Sequence, residues 1–183
     1  MIRAVLVAAA LAALGACTPQ EAARPEPVAL TAEAAGHYCG MNLLEHHGPK
    51  GQVFVTGIAQ PVWFSSVRDT VAFTLLPEEP KAIAAIYVSD MAAAESWEQP
   101  GSRNWIDARK AFYVIGSTRR GGMGAEEAVP FSTEAAARAF VADHGGAVVA
   151  FDKIPPAYVL GSGAPAAATS VPATTGTPHQ HRH

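Results

Sequence analysis

Three kinds of metal-binding side chain occur together in one short stretch of the sequence, GHYCGMNLLEHHGPK. The stretch holds a thiol at Cys39, a thioether at Met41 and imidazoles at His37, His46 and His47. Soft sulfur ligands select Cu(I) over hard cations, and imidazole is a compatible third donor. These residue types therefore predict a Cu(I) site made of the two sulfur ligands and one or more of the histidines.

The spacing of the two sulfur ligands also suits a shared metal ion. On an extended segment, residues i and i+2 point to the same face, so we predict that Cys39 and Met41 share a face. Gly40 between them has no side chain to crowd a ligand, and Gly48-Pro49 predicts a turn that brings histidines back toward the sulfurs. Zinc is a poorer match, because structural zinc sites take four N or S ligands, often with CxxC spacing, and the sequence contains no CxxC.

The N-terminus has the pattern of an export and lipidation signal. Residues 1–16 carry one basic residue and then an apolar run that ends in small residues, as secretory signals do. Leu14-Gly15-Ala16-Cys17 resembles the bacterial lipobox, in which the peptide is cut before the cysteine and the thiol receives a lipid. Thr18 follows where an Asp would indicate retention in the inner membrane, so we predict a periplasm-facing lipoprotein of the outer membrane, anchored through Cys17.

The lipid prediction also bears on the second cysteine. If Cys17 carries lipid, Cys39 has no partner for an intramolecular disulfide, because the sequence contains two cysteines. In an oxidising compartment a lone thiol is at risk of oxidation or of pairing with another chain. Cys39 is therefore either buried and inert or retained because it is used, and the neighbouring histidines favour use.

Composition divides the rest of the chain. Residues 17–32 are proline-rich and polar and predict a tether, and residues 161–183 are rich in Ala, Pro and Thr and predict a disordered tail. The folded domain is then expected over residues 33–160. A formal net charge of −3 argues against nucleic-acid binding, which needs a basic face.

The folded part contains two similar halves. Each half reads as a strand, a loop, a proline with apolar neighbours, a helix and a strand, which we interpret as a duplicated ββαβ-like unit in one compact α+β fold. The predicted strands cover residues 52–58, 82–88, 111–116 and 147–151, and the predicted helices cover residues 65–75 and 132–144. The second helix has Ser132 or Thr133 as its N-cap and Gly145 just beyond its end.

Two motifs resemble those of the NosL family, copper-chaperone lipoproteins for nitrous oxide reductase. The first motif is Cys39-Gly-Met41 with the following Glu45-His46 and Gly48-Pro49-Lys50, and the second is Gly121-Gly-Met123 with Pro130-Phe131. The resemblance covers the lipobox and most of residues 33–155, and the family's fold is the same duplicated ββαβ arrangement.

The resemblance implies a function and a ligand set. It implies that Cys39, Met41 and a histidine bind Cu(I), and that the partners are the membrane transporter complex NosDFY and apo nitrous oxide reductase. His46 occupies the position of the family histidine, whereas His47 replaces a proline of the family pattern, so either imidazole could ligate. Met123 lies in a glycine-rich loop that could cover the site as a further soft donor.

Two other classes of protein remain open from the residues alone. Cys39 and His46 could form the thiolate–imidazolium pair of a cysteine-dependent enzyme. No recognisable motif supplies a third group to orient that histidine, and a thiol oxidoreductase would need a resolving cysteine. A structural or adaptor lipoprotein, in which Cys39 is incidental, is the other alternative. We expect a copper carrier and not an enzyme.

Overall fold

The computed structural model describes residues 24–161. The predicted signal over residues 1–16, the lipidated Cys17 and the tail from residue 162 onward therefore lie outside the described residues. None of the helices in the described part of the chain has both the length and the hydrophobicity that crossing a bilayer requires.

Residues 24–161 form seven β-strands and three α-helices. The strands are β1 (Gly51–Val55), β2 (Val62–Phe64), β3 (Ile83–Ser89), β4 (Trp105–Asp107), β5 (Phe112–Ile115), β6 (Val129–Phe131) and β7 (Ala147–Ala150). The helices are α1 (Val67–Leu75), α2 (Glu134–His144) and α3 (Pro156–Leu160).

The strands make two antiparallel sheets with matching connectivity. One sheet has the order β2-β1-β3-β4 and the other has the order β6-β5-β7. In each sheet the first strand of its half lies in the centre, the second strand pairs on one side, and the strand after the helix pairs on the other. The predicted α+β class and the two ββαβ halves are thus confirmed, and β4 is an added edge strand that the sequence did not indicate.

One hydrophobic core joins the two halves. Its buried residues include Val53, Phe64 and Ile86 from the first half and Tyr113 and Val159 from the second. A smaller cluster fills the space between α2 and the second sheet. Because both halves contribute to the larger core, the loops at their junction are held in fixed relative positions.

The helix boundaries follow local capping signals. Ser66 precedes α1, and its hydroxyl accepts a hydrogen bond from the Asp69 amide at 3.0 Å. The α1 helix therefore begins two residues later than predicted, because the serine acts as a cap and not as a helical residue. Thr133 caps α2, and Gly145 ends it with φ +70°, as predicted.

The segment before residue 33 differs from the predicted tether over residues 17–32. Val28 exchanges two hydrogen bonds with the Gln52 side chain, both 3.0 Å long. Leu30 is 9% exposed and packs beside Leu43. Residues 24–32 therefore belong to the folded unit. Leu30 packs in a buried cluster, and the Gln52 side chain on β1 hydrogen-bonds to the Val28 main chain.

Candidate metal centre

Cys39 lies in a tight turn and not on an extended strand. The Gly40 amide donates to the Gly36 carbonyl at 2.8 Å, and the Gly36 amide donates to the Met41 carbonyl at 2.9 Å. Gly40 has φ +66°, which other residues rarely adopt. The prediction of an extended Cys39-x-Met41 segment is therefore wrong, because the left-handed glycine turns the chain between the two sulfur residues.

A short helical turn brings His46 back to the thiol. Leu43–Glu45 forms one 3-10 turn, and the Asn42 side chain caps it by accepting from the Leu44 amide at 2.8 Å. His46 follows this turn, and its Nε2 lies 4.0 Å from the Cys39 Sγ. Metal–ligand bonds of about 2.0 Å to nitrogen and 2.3 Å to sulfur separate two donors of one ion by at most about 4.3 Å. The observed distance fits a metal ion held by both atoms.

The other ring nitrogen of His46 has a hydrogen-bond partner on the second half of the protein. Nδ1 lies 3.1 Å from the Gly122 carbonyl oxygen, which can only accept. Nδ1 therefore carries the proton, and the lone pair of Nε2 faces the thiol. Metal-binding histidines commonly show this arrangement, because the outer hydrogen bond fixes both the tautomer and the ring orientation.

The glycine-rich loop fits against the site with little space to spare. A Cβ atom at Gly122 would lie 2.6 Å from the His46 Cβ and 2.9 Å from the Ser65 carbonyl oxygen. The Ser65 hydroxyl lies 3.7 Å from the half-buried Cys39 Sγ. The thiol, the imidazole, the start of α1 and the glycine loop thus meet at one point.

Two methionines are exposed beside these groups. Met41 is 40% exposed, and Met123, the residue after Gly122, is 51% exposed. The two exposed methionine side chains leave apolar surface in contact with water. They are also flexible, so their sulfur atoms can move toward a soft metal ion.

The remaining two histidines contact other groups. The His37 Nε2 lies 3.3 Å from a Glu79 carboxylate oxygen, and its ring packs edge-on against Phe64 and Phe73. His47 is exposed, and its carbonyl accepts from the Lys50 ammonium at 3.1 Å. The structure thus brings His46, and neither His37 nor His47, to hydrogen-bonding range of the Cys39 sulfur.

Lys50 is buried beside the His46 loop and was missed by the sequence analysis. Its side chain is almost wholly covered, and the ammonium donates to the carbonyls of His47 and Gly48. Burial lowers the pKa of Lys50 to about 8, against the opposing attraction of Glu127. Lysine is usually a surface residue, so nothing in the local sequence indicated that it fastens this loop.

Glu127 is the second buried ionisable group at this junction. Its Oε1 accepts from the Arg68 amide at 2.8 Å and from its neighbour Ala128 at 2.9 Å. Burial raises the pKa of Glu127 to about 8, although the amide donors oppose the rise. Glu126 beside it is exposed, and the sequence alone does not distinguish the two carboxylates.

The described residues bring few side chains of the usual metal-binding types close together. Within residues 24–161, no three side chains of His, Cys, Asp and Glu lie close enough together to hold a metal ion. Among the described residues, the candidate donors brought together are therefore the Cys39 sulfur and the His46 Nε2.

Comparison with known proteins identifies the family. The model of the NosL family matches residues 27–159. The copper-binding lipoprotein NosL of Achromobacter cycloclastes is 56% identical over 160 residues, which cover 87% of this chain and 83% of that protein. The chain belongs to the NosL family. The resemblance inferred from the two motifs is therefore confirmed.

Two more distant members extend the comparison. The copper-binding lipoprotein NosL of Stutzerimonas stutzeri is 38% identical over 130 residues, covering 70% of this chain and 66% of that protein. The crystal structure of the copper chaperone NosL from Shewanella denitrificans matches with a TM-score of 0.68 and 35% identity, covering 72% of this chain and 97% of that one. Nearly all of that NosL chain thus corresponds to the duplicated fold described above.

Proposed function

We propose that this protein is a lipid-anchored copper chaperone that binds one Cu(I) ion through Cys39, Met41 and His46. The observation that carries the proposal is the 4.0 Å distance between the Cys39 Sγ and the His46 Nε2, with the other ring nitrogen held by Gly122. Its relatives from Achromobacter cycloclastes and Stutzerimonas stutzeri are copper-binding lipoproteins by name, which supports both the cargo and the anchor.

The donor types favour the cuprous state. A thiolate and a thioether are soft ligands, and one imidazole beside them gives a three-coordinate set that suits Cu(I). Met123 is a second thioether candidate, because it follows the loop residue that contacts His46. His37 and His47 are the weaker candidates, since the His37 ring contacts Glu79 and the His47 side chain is exposed, with no contact to the Cys39 sulfur.

A partly exposed site suits a carrier. Met41 is exposed and Cys39 is half-buried, so a ligand from an acceptor can reach the metal before an original ligand leaves. The ion can then pass between two proteins without release into solution. The acceptors we propose are the NosDFY transporter complex and, through it, apo nitrous oxide reductase. Lipid on Cys17 would keep the carrier at the periplasmic face of the outer membrane.

An anaerobic titration with Cu(I) against a chromophoric chelator tests the proposal. Cys39→Ser, Met41→Leu and His46→Gln each remove one proposed donor, and His144→Gln and Met91→Leu are matched controls from outside the donor set. Loss of an outer partner of a metal ligand typically costs 10–100-fold in affinity, so loss of a ligand itself should cost more than about 100-fold. The controls should bind as the wild type does.

The result also separates the alternatives. One-to-one binding that is lost in the three donor variants supports the carrier. Binding that is weak, or that does not depend on Cys39, refutes it and favours an adaptor lipoprotein. A cysteine-dependent enzyme would instead need a substrate whose turnover is lost in Cys39→Ser, whether or not copper binds.

A further inference from the structure

A buried carboxyl group lies behind the glycine-rich loop. Glu127 is 1% exposed, and its Oε1 accepts two main-chain hydrogen bonds. Its Oε2 has no hydrogen-bond partner among the described residues. Oε2 is therefore a buried acceptor that stays unpaired at a cost in stability, while Oε1 pairs two main-chain amides.

One of the two bonds of Glu127 joins the halves of the protein. The donor is the Arg68 amide, in the first turn of α1. The residues just before that helix include Ser65, whose hydroxyl lies 3.7 Å from the Cys39 Sγ. The carboxyl therefore attaches the second half of the chain to the part of the first half that contacts the thiol.

The free oxygen of Glu127 lies directly against the loop. A Cβ atom at Gly121 would come within 2.5 Å of the Glu127 Oε2. The loop is closed on itself, since the Gly121 amide donates to the Ala125 carbonyl at 2.9 Å and Arg120 and Glu126 form a β-bridge. Glu127 thus contacts the residue next to Gly122, whose carbonyl oxygen faces the His46 ring.

We propose that Glu127 is a positioning residue for copper binding. It holds the glycine-rich loop at the start of α1, so that the Gly122 carbonyl accepts a hydrogen bond from the His46 Nδ1–H and the Nε2 lone pair faces Cys39. The proposal rests on the copper-binding function proposed above. Glu127 does not contact the metal ion. It acts through the glycine-rich loop, which in turn orients the His46 imidazole.

Three variants of the full chain test the proposal. Glu127→Leu keeps apolar bulk and removes both carboxyl oxygens, whereas Glu127→Gln keeps the Oε1 acceptor. Glu126→Ala is the matched control, because it removes an exposed carboxylate from the same loop. Two quantities are measured for each protein: the Cu(I) affinity by chelator competition, and the His46 tautomer in the metal-free protein from the ¹⁵N shifts of the imidazole.

We expect a specific pattern. Glu127→Leu should bind Cu(I) about 10–100-fold more weakly, which is the usual cost of losing an outer-shell partner. In the same variant the His46 ring should lose its preference for the Nδ1–H tautomer. Glu127→Gln and Glu126→Ala should match the wild type in both measurements. A role in stability alone would lower the melting temperature but leave the tautomer of the folded fraction unchanged.

Failure of this proposal can be told from failure of the proposed function. If the wild type does not bind Cu(I), the chaperone function is refuted, and the tautomer in the metal-free proteins still decides the role of Glu127. A folded Glu127→Leu with the tautomer and affinity of the wild type overturns the positioning role. If Glu127→Leu does not fold, Gly121→Ala provides the same test. Its added Cβ would clash with the Glu127 Oε2 and so separate the loop from the carboxyl without removing it.

Discussion

The buried carboxyl of Glu127 should make the stability of this protein depend on pH in an unusual direction. Most carboxyl groups in folded proteins are stabilised as anions, so they favour the folded state as pH rises. Glu127 is enclosed, and burial raises its pKa from 4.5 to about 8. The folded state therefore retains a proton that the unfolded chain releases.

The direction and the size of the pH effect on the free energy of unfolding follow from this difference in proton binding. Below pH 4.5 both states hold the proton, and the contribution of Glu127 to stability is fully present. Between pH 4.5 and pH 8 the folded state binds more protons, so the free energy of unfolding falls as pH rises, by up to about 1.4 kcal/mol per pH unit. Above pH 8 the contribution is lost. Between pH 5 and pH 7 the loss amounts to at most about 2.7 kcal/mol.

Urea denaturation of the wild type and of Glu127→Gln measures this effect. Tryptophan fluorescence reports unfolding, because Trp63 and Trp105 pack against the core. The range from pH 5 to pH 7 is chosen because it lies below the pKa of Lys50, which is about 8 in the wild type. The amide of Glu127→Gln does not titrate, and the histidines are common to both proteins.

The comparison therefore isolates one carboxyl group. The stability of the wild type relative to Glu127→Gln should fall as pH rises across this range. A difference that stays constant or grows with pH would mean that the carboxylate is ionised in the folded protein, and the reasoning from its burial would be refuted.

Three further predictions concern neighbouring residues. Gly122→Ala should weaken Cu(I) binding about 10–100-fold in the chelator assay, because the added Cβ displaces the loop from His46. Gly57→Ala strains the backbone at φ +83° but places its Cβ in open space, so it should lower stability and leave Cu(I) affinity unchanged. Thr133→Ala should lower the free energy of unfolding by about 1 kcal/mol in urea, through loss of the α2 cap, without changing copper affinity. Lys50→Met should abolish a rise in stability between pH 8 and pH 10.5, where the unfolded wild type binds the extra proton.

The features of the fold that were predicted correctly have local causes. The N-cap and the C-terminal end of α2 follow from Thr133 and Gly145, both visible in the sequence. The two ββαβ halves show as alternating strands separated by prolines and glycines. By contrast, β4 has three residues, too few for an alternating pattern to show, and it forms by pairing with β3. The packing of residues 24–32 likewise depends on contacts with distant strands.

In the candidate site, too, some features have local causes in the sequence and others depend on contacts between distant residues. The proximity of Cys39 and His46 was predictable, because a single thiol lies seven residues from an imidazole and a turn between them can bring the two side chains together. The turn at Gly40 was not predicted, because an isolated glycine is compatible with either an extended or a left-handed backbone. The contact between His46 and Gly122 joins residues 76 positions apart, so no local pattern encodes it. The roles of Cys39, His46, Met41 and Met123 as copper ligands stay predictions.

The position of the site at the junction of the two halves bears on how a carrier could release its metal. The proposed donors lie outside both ββαβ units, but each half supplies one support, Ser65 for the thiol and Gly122 for the imidazole. His46 also lines a cavity of about 260 Å³ on the side of Leu30 and Leu43. An acceptor that moved the glycine-rich loop away from α1 would remove the hydrogen bond that orients His46. Copper would then lose its nitrogen ligand while both sulfurs still held it, which is the order of steps that transfer without release into solution requires.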